Sequence, residues 1–186
     1  MLNNIAALLD AGVAASTNSY ESIATANGTG ISGVITFSSI PSTYKHLQLR
    51  AIVRNTSVGT GEQSILVIAN GDTGANYATH RLTGNGSAAG AQSYTSGTDI
   101  VPYFNPSSLN TAGIYGAYVW DILDYANTSK NKTFRLLGGV DFNGSGTVGL
   151  ISGAWFNTAA INSLRFTSGG GSWTTDTQFA LYGIKG

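Results

Sequence analysis

Residues 113–125, GIYGAYVWDILDY, constrain the chain more than any other stretch. β-branched and aromatic side chains dominate the run, which suits an extended, pleated backbone far better than a helix. Alternation places Tyr115, Ala117, Val119 and Leu123 on one side and Ile114, Tyr118, Trp120 and Ile122 on the other. A strand apolar on both sides has to be covered on both sides. It therefore belongs in the middle of a sheet that packs on one face and meets a loop, a helix or another subunit on the other.

The rest of the chain reads as strands and turns. Segments 20–26, 34–38, 44–54, 63–69, 77–83, 99–104, 133–140, 148–156, 161–167 and 178–184 carry strand-like patterns between Gly- and Asn-rich turns. Segments 20–26 and 34–38 flank NGTGISG as a hairpin. In 44–54, Leu47, Leu49, Ala51 and Val53 alternate with His46, Gln48, Arg50 and Arg54. Residues 84–97 read as a Gly/Ser/Ala loop, and 99–104, bounded by Pro102 and Pro106, as an edge strand. About nine to eleven strands at this spacing predict an all-β protein, a jelly-roll-like antiparallel β-sandwich. The chain is expected to divide into residues 1–18 and a sandwich domain over 19–186.

Segment 1–18 differs from all that follows. Leu2, Ile5, Leu8, Leu9 and Val13 fall on one side of a short α-helix capped by Asn3 or Asn4. It is too short to span a membrane, and it has no basic leading segment of the kind that opens a signal peptide. Three arrangements suit it: folded back on the domain, frayed, or docked as a peg into a partner or a small symmetric bundle. The peg is preferred, because the β pattern is complete without it.

Composition narrows the function classes. Only 10% of the 186 residues are charged and the formal net charge is zero, so there is no electrostatic footprint for nucleic acid or an anionic membrane. Ser, Thr, Asn and 25 glycines fill the gap, which suits a surface packed against other subunits. A glycan-facing module would show a similar surface. Zero cysteines excludes disulfides, zinc–thiolate sites and thiol nucleophiles. Sequons at Asn27, Asn55, Asn85, Asn127, Asn131 and Asn143 are what so Asn- and Thr-rich a chain yields by chance.

The chemical motifs resolve into turns. GTGISG and GSGTVG match a dinucleotide-binding pattern, but strands follow both, where that motif needs a helix N-terminus. DFNGSG opens like a calcium loop, yet its twelfth position is Ser152 rather than a bidentate acid. His46 and His80 are far apart in the sequence and lack a nearby cluster of acids, and Asp121 and Asp124, three apart on a strand, point to opposite faces. No catalytic, cofactor-binding or metal-ligating residues are assigned, and no enzyme activity is expected. Trp120, Trp155 and Phe156 read as core or subunit interface, with Tyr118 and Trp120 the interface candidates beside the leading segment. Tyr94, Tyr103 and Trp173, near Gly-rich loops, are the candidates for stacking on a ligand, with Trp173 and loop 84–97 at an exposed tip.

Taken together, YESIAT, FSSIPSTYKHLQLR, NGDTGANY, DILDYANTSKNKTFR, SGAWFNTAAINSL and FALYGIKG resemble small virion-associated proteins of tailed bacteriophages, notably aquatic and cyanobacterial phages. The resemblance covers residues 19–186. It implies a β-rich structural module on the exterior of the particle, as capsid decoration or part of a tail fibre, and it supplies no catalytic residues. The expected partners are further copies of the chain, as a homotrimer, other virion proteins and, for a tail location, a host surface glycan. A cellular lectin-like module is the remaining alternative, disfavoured by the missing signal sequence and disulfides.

Overall fold

A computed structural model describes residues 19–59 and 61–186, and the helix expected over 1–18 lies outside the described residues. All regular structure described is β. In chain order the strands are β1 (Tyr20–Asn27), β2 (Val34–Phe37), β3 (His46–Val53), β4 (Glu62–Gln63), β5 (Ile65–Ala69), β6 (Tyr77–Gly84) and β7 (Ala89–Gly97). There follow β8 (Asn105–Pro106), β9 (Gly116–Leu123), β10 (Lys132–Asp141), β11 (Gly146–Trp155), β12 (Leu164–Ser168) and β13 (Gln178–Ile184). Eight form one sheet, in the order β1-β13-β3-β9-β10-β11-β6-β7, and β2-β12-β5 form a second. β4 and β8 pair separately. Every pair of neighbours is antiparallel. The antiparallel β-sandwich is thus present, with unequal layers of eight and three strands.

The two sheets meet through the inward positions of each strand. Leu47, Leu49, Ala51 and Val53 of β3 are buried as their alternation predicts, beside Trp120 and Ile122 of β9 and Phe134 and Leu136 of β10. Ile35, Phe37, Ile65, Val67, Leu164 and Phe166 face them from the small sheet. Phe166 is the hub: Trp120 and Phe37 meet it edge-on, with ring centroids 6.0 and 6.2 Å away, and Phe179 lies 5.2 Å away. Such aromatic contacts add about 0.5–1.5 kcal/mol each beyond burial.

The end of β5 reaches β6, where the Tyr77 hydroxyl bonds to the backbone of Ala69. Segment 100–106 extends the cover across the β10–β11 part of the large sheet. Ile100 and Pro102 carry the backbone along the open edge of β5, with Ile100 and Val67 exchanging two hydrogen bonds of 3.0 Å. Phe104 then crosses beneath the large sheet where glycines leave room. A Cβ on Gly149 would stand 2.1 Å from the Phe104 ring, one on Gly138 3.2 Å from it, and one on Gly153 2.9 Å from Ile100. The glycines within these strands are therefore sites of close approach rather than breaks.

Two long cations sit inside. Lys132 is fully buried, its Nζ donating to the carbonyls of Asn127 at 2.7 Å, Lys130 at 2.8 Å and Thr158 at 2.9 Å. Burial, with the neighbouring Lys130 charge, pushes its pKa down. Arg54 donates to the carbonyls of Asn110, Thr111 and Ile114, fixing the approach to β9. Each ties loop carbonyls to the sheet, satisfying groups that would otherwise be buried unpaired.

Three expectations are corrected. Segments 20–26 and 34–38 are not a hairpin: β1 pairs with β13 in the large sheet and β2 with β12 in the small one. The connection between them docks on the 173–177 turn, with Gly28 N donating to Thr177 O and Gly30 N to Trp173 O. Residues 84–97 are not a loop, because β7 pairs with β6 along most of its length. Asn85 closes that hairpin, its side-chain oxygen accepting from the amides of Ser87 and Ala88 while Gly86 takes a φ of 88°. Segment 99–104 forms an isolated bridge at Ile100 rather than a strand.

Candidate functional site

The central strand, β9, lies fourth in the large sheet, as its composition requires, but among the described residues only one of its sides is covered. Tyr118, Trp120 and Ile122 point into the sandwich, while Ala117, Val119 and Leu123 are exposed. Tyr118 and Trp120 are therefore core residues and not the interface residues expected. Tyr118 is 3% exposed and its hydroxyl accepts the Phe104 N–H at 2.9 Å. Burial pushes that phenol's pKa well above its ordinary value. The interface candidates are instead their neighbours on the opposite face.

The strand registers show how those neighbours assemble. One row crosses the sheet as Arg50, Val119, Leu137, Leu150, Leu82 and Ala91. The adjacent row is Ile52, Ala117, Gly139, Val148, Gly84 and Ala89. Exposure of the large side chains runs from 39% at Val119 to 58% at Val148. On the other flank runs a polar row of Gln48, Asp121, Arg135, Ser152, His80 and Ser93. Arg135 donates to Asp121 at 2.9 Å, and Gln48 Nε2 donates to the same carboxylate at 2.9 Å. Partial burial pushes the Asp121 carboxyl up, but these two donors outweigh it and hold it below its ordinary value. The outer face is thus an apolar band with a charge-balanced border, and among the described residues nothing covers it.

Tyr94 and Tyr103, separate in the sequence, converge on Arg81 at the β6–β7 end of the inner face. The guanidinium carbon lies 4.4 Å from the Tyr103 ring centroid and 5.7 Å from that of Tyr94. Burial raises the Tyr103 phenol and, nearby, the carboxyl of half-buried Glu62, the latter partly offset by a Thr147 hydrogen bond and the Arg81 charge. Trp173 is corrected: it is fully buried, edge-on to Phe179 at 5.3 Å, and no part of an exposed tip. Its glycine-rich surroundings let the backbone pack tightly against neighbouring strands. A Cβ on Gly171 would stand 2.6 Å from Ser57 N, and one on Gly28 2.9 Å from the Trp173 Cβ.

The other sequence candidates have structural partners. Asp124 lies past the end of β9 with φ 49°, so strand alternation does not set its direction. It pairs with Lys45 at 2.9 Å and with Lys130, while its backbone N–H donates to His46 Nδ1 at 2.9 Å. Asp121 and Asp124 therefore serve separate ion pairs. In DFNGSG, Asp141 accepts the Asn143 N–H at 2.7 Å within the β10–β11 turn. Among the described residues no three His, Asp or Glu side chains gather as metal ligands. An open groove of about 630 Å³ beside this turn is lined by Tyr115, Ala117, Gly139, Asp141 and Thr147. No described helix is long and apolar enough to cross a membrane.

No protein-family model matches the chain, and neither a curated protein nor a solved structure matches it.

Proposed function

We propose that the chain is an exterior structural protein of a tailed-phage virion, a jelly-roll-like sandwich acting as capsid decoration or cement. Residues 1–18 anchor it through Leu2, Ile5, Leu8, Leu9 and Val13, and copies of the sandwich meet, as a homotrimer, through the outer face of the large sheet. The observation that carries this reading is the apolar band of Ile52, Leu82, Val119, Leu137, Val148 and Leu150, exposed on regular strands.

Magnitudes support it. Eight strands about 4.8 Å apart and eight residues long give a face on the order of 900 Å², against roughly 800 Å² per partner in a standard interface. Covering the exposed half of six large apolar side chains yields about 4–9 kcal/mol. Free association costs about 4–15 kcal/mol in lost motion. The face is therefore sized for weak contact between free copies and strong contact between copies already held on a particle.

The test is an image reconstruction of the particle carrying this chain, with and without residues 1–18. Full-length protein is expected as multi-copy exterior density, and the 19–186 fragment as a folded domain that fails to attach. Density within the shell, or attachment of the fragment, would overturn the reading.

The convergence of Tyr94 and Tyr103 on Arg81 favours a second reading, a tail-fibre or tail-tip module that binds a host glycan. Its test is a glycan array, where signal lost on Tyr103→Ala supports it and a blank array removes it.

A further inference from the structure

Sheet edges are the places where a β-protein is open to further pairing, and natural proteins guard them with charge, proline, bulges or cover. Among the described residues, three of the four edges of the two sandwich layers are guarded or short. β1 carries the Glu21–Lys185 pair at 2.9 Å and a register shift between Ser22 and Ala24. β5 is covered by the backbone of Ile100 and Pro102. β2 spans four residues. β7 differs. Its nine residues, AGAQSYTSG, contain no charge and no proline, and all but the last are exposed.

This strand is also short of support. Among the described residues it pairs only with β6 and both its faces are exposed, so a single hydrogen-bonded ladder and the Tyr94–Arg81 contact hold it. A strand with so few buried apolar contacts belongs to the less protected part of a fold and gains from a further strand beside it. The register shifts near Tyr94 and Ser96 takes a φ of 54°, which bends the end of the strand away and leaves residues 89–94 as the straight, free edge.

We propose that this edge pairs antiparallel with the same edge of a second copy about a two-fold axis, joining two large sheets into one. Self-pairing suits the edge because an antiparallel ladder is its own symmetry mate, and an uncharged strand opposes no like charge in any register. Ala89 and Ala91 continue the outer-face rows, so the join would also merge the apolar bands of the two copies. The contact goes beyond the outer-face association proposed above and does not require it. A two-fold edge contact and a three-fold ring coexist in dihedral assemblies.

The test combines concentration-dependent hydrogen exchange with light scattering on the full chain. Outward amides of residues 89–94 are expected to slow at least tenfold as dimer forms. Consecutive amides point to opposite sides of a strand, so one of Gln92→Pro and Ser93→Pro removes an outward donor and leaves the β6 ladder whole. That variant should keep the melting temperature and weaken dimerisation at least tenfold. Should both prolines unfold the hairpin, Gln92→Lys with Ser93→Lys sets like charges across the two-fold axis and should produce the same loss. Leu137→Asp, which disrupts only the outer face, should leave the β7 protection unchanged. Fast, concentration-independent exchange over 89–94, or dimerisation untouched by the folded variants, would overturn the proposal. So would β7 protection that disappears with Leu137→Asp, because the association would then belong to the face.

Discussion

Gly149→Ala tests whether the packing of segment 100–106 depends on the glycines beneath it. The added methyl would stand 2.1 Å from Phe104 Cζ and 3.0 Å from both Cε atoms. Ordinary carbon contacts lie at about 3.5–4.0 Å, so the ring must retreat by about 1.5 Å. It has little freedom to do so. The Phe104 amide is held by the Tyr118 hydroxyl at 2.9 Å, and its carbonyl already occupies the place of a Gly116 Cβ, 2.0 Å away. Overpacking of this kind costs about 1–3 kcal/mol. Opposing it, alanine loses less backbone entropy than glycine in a strand, a gain of about 0.5–1 kcal/mol. Because the ring is pinned the clash wins, and a net loss of up to about 2.5 kcal/mol is expected, a fall in melting temperature of up to roughly 10 °C at this length. Urea denaturation of a double-mutant cycle isolates the cause. Phe104→Ala alone should cost about 3–5 kcal/mol. In that background Gly149→Ala should be neutral or stabilising, giving a coupling of at least about 1 kcal/mol. An equal cost in both backgrounds would refute the argument, since the penalty would then come from the β11 backbone and not from the ring.

Lys132→Met removes three donors from a site with no exposure and leaves the carbonyls of Asn127, Lys130 and Thr158 without them. A loss of about 2–4 kcal/mol in urea denaturation is expected. Asp124 gives a signed pH dependence. Hydrogen bonds from Lys130 and then Lys45 lower its carboxyl from 3.8 to about 2. Its contribution is therefore full above about pH 4 and lost as pH falls through about 2. Asparagine tolerates the positive φ at this position. The melting-temperature difference between wild type and Asp124→Asn should accordingly be largest near neutrality, shrink below about pH 4 and vanish below about pH 2.

The parts of the fold legible in the sequence are those where side-chain type and position agree. β3 shows its buried side through Leu47, Leu49, Ala51 and Val53, and β13 follows the expected bounds. β7 was illegible because Ala, Gly and Ser carry no strand preference, and its conformation comes from pairing with β6. Trp173 was misplaced because glycines beside it signal a turn but say nothing about what packs on the turn. Lys132 was hidden in the polar run TSKNK, although its period-two spacing to the buried Phe134 and Leu136 was the signal that could have found it. Arg81 was missed as well. Only the β6–β7 register brings Tyr94 near it, and no spacing in the sequence encodes that register.

The central strand shows where sequence reasoning stops for a physical reason. Two apolar sides demand cover on both, and the demand is the same whether the cover comes from the same chain or from another. Within the described residues, burial is satisfied on the side of Trp120 and left open on the side of Val119. A lone exposed leucine needs no explanation, but six large apolar residues in register across adjacent strands exceed what scattered surface hydrophobics supply. Nor is the pattern needed for the sheet itself, since polar β-branched residues such as threonine would serve an open face equally well. On the proposed reading, the apolar band is the side through which copies of the sandwich meet. The proposed self-pairing of β7, continuous with that band through Ala91, would extend such contact to the rim of the sheet.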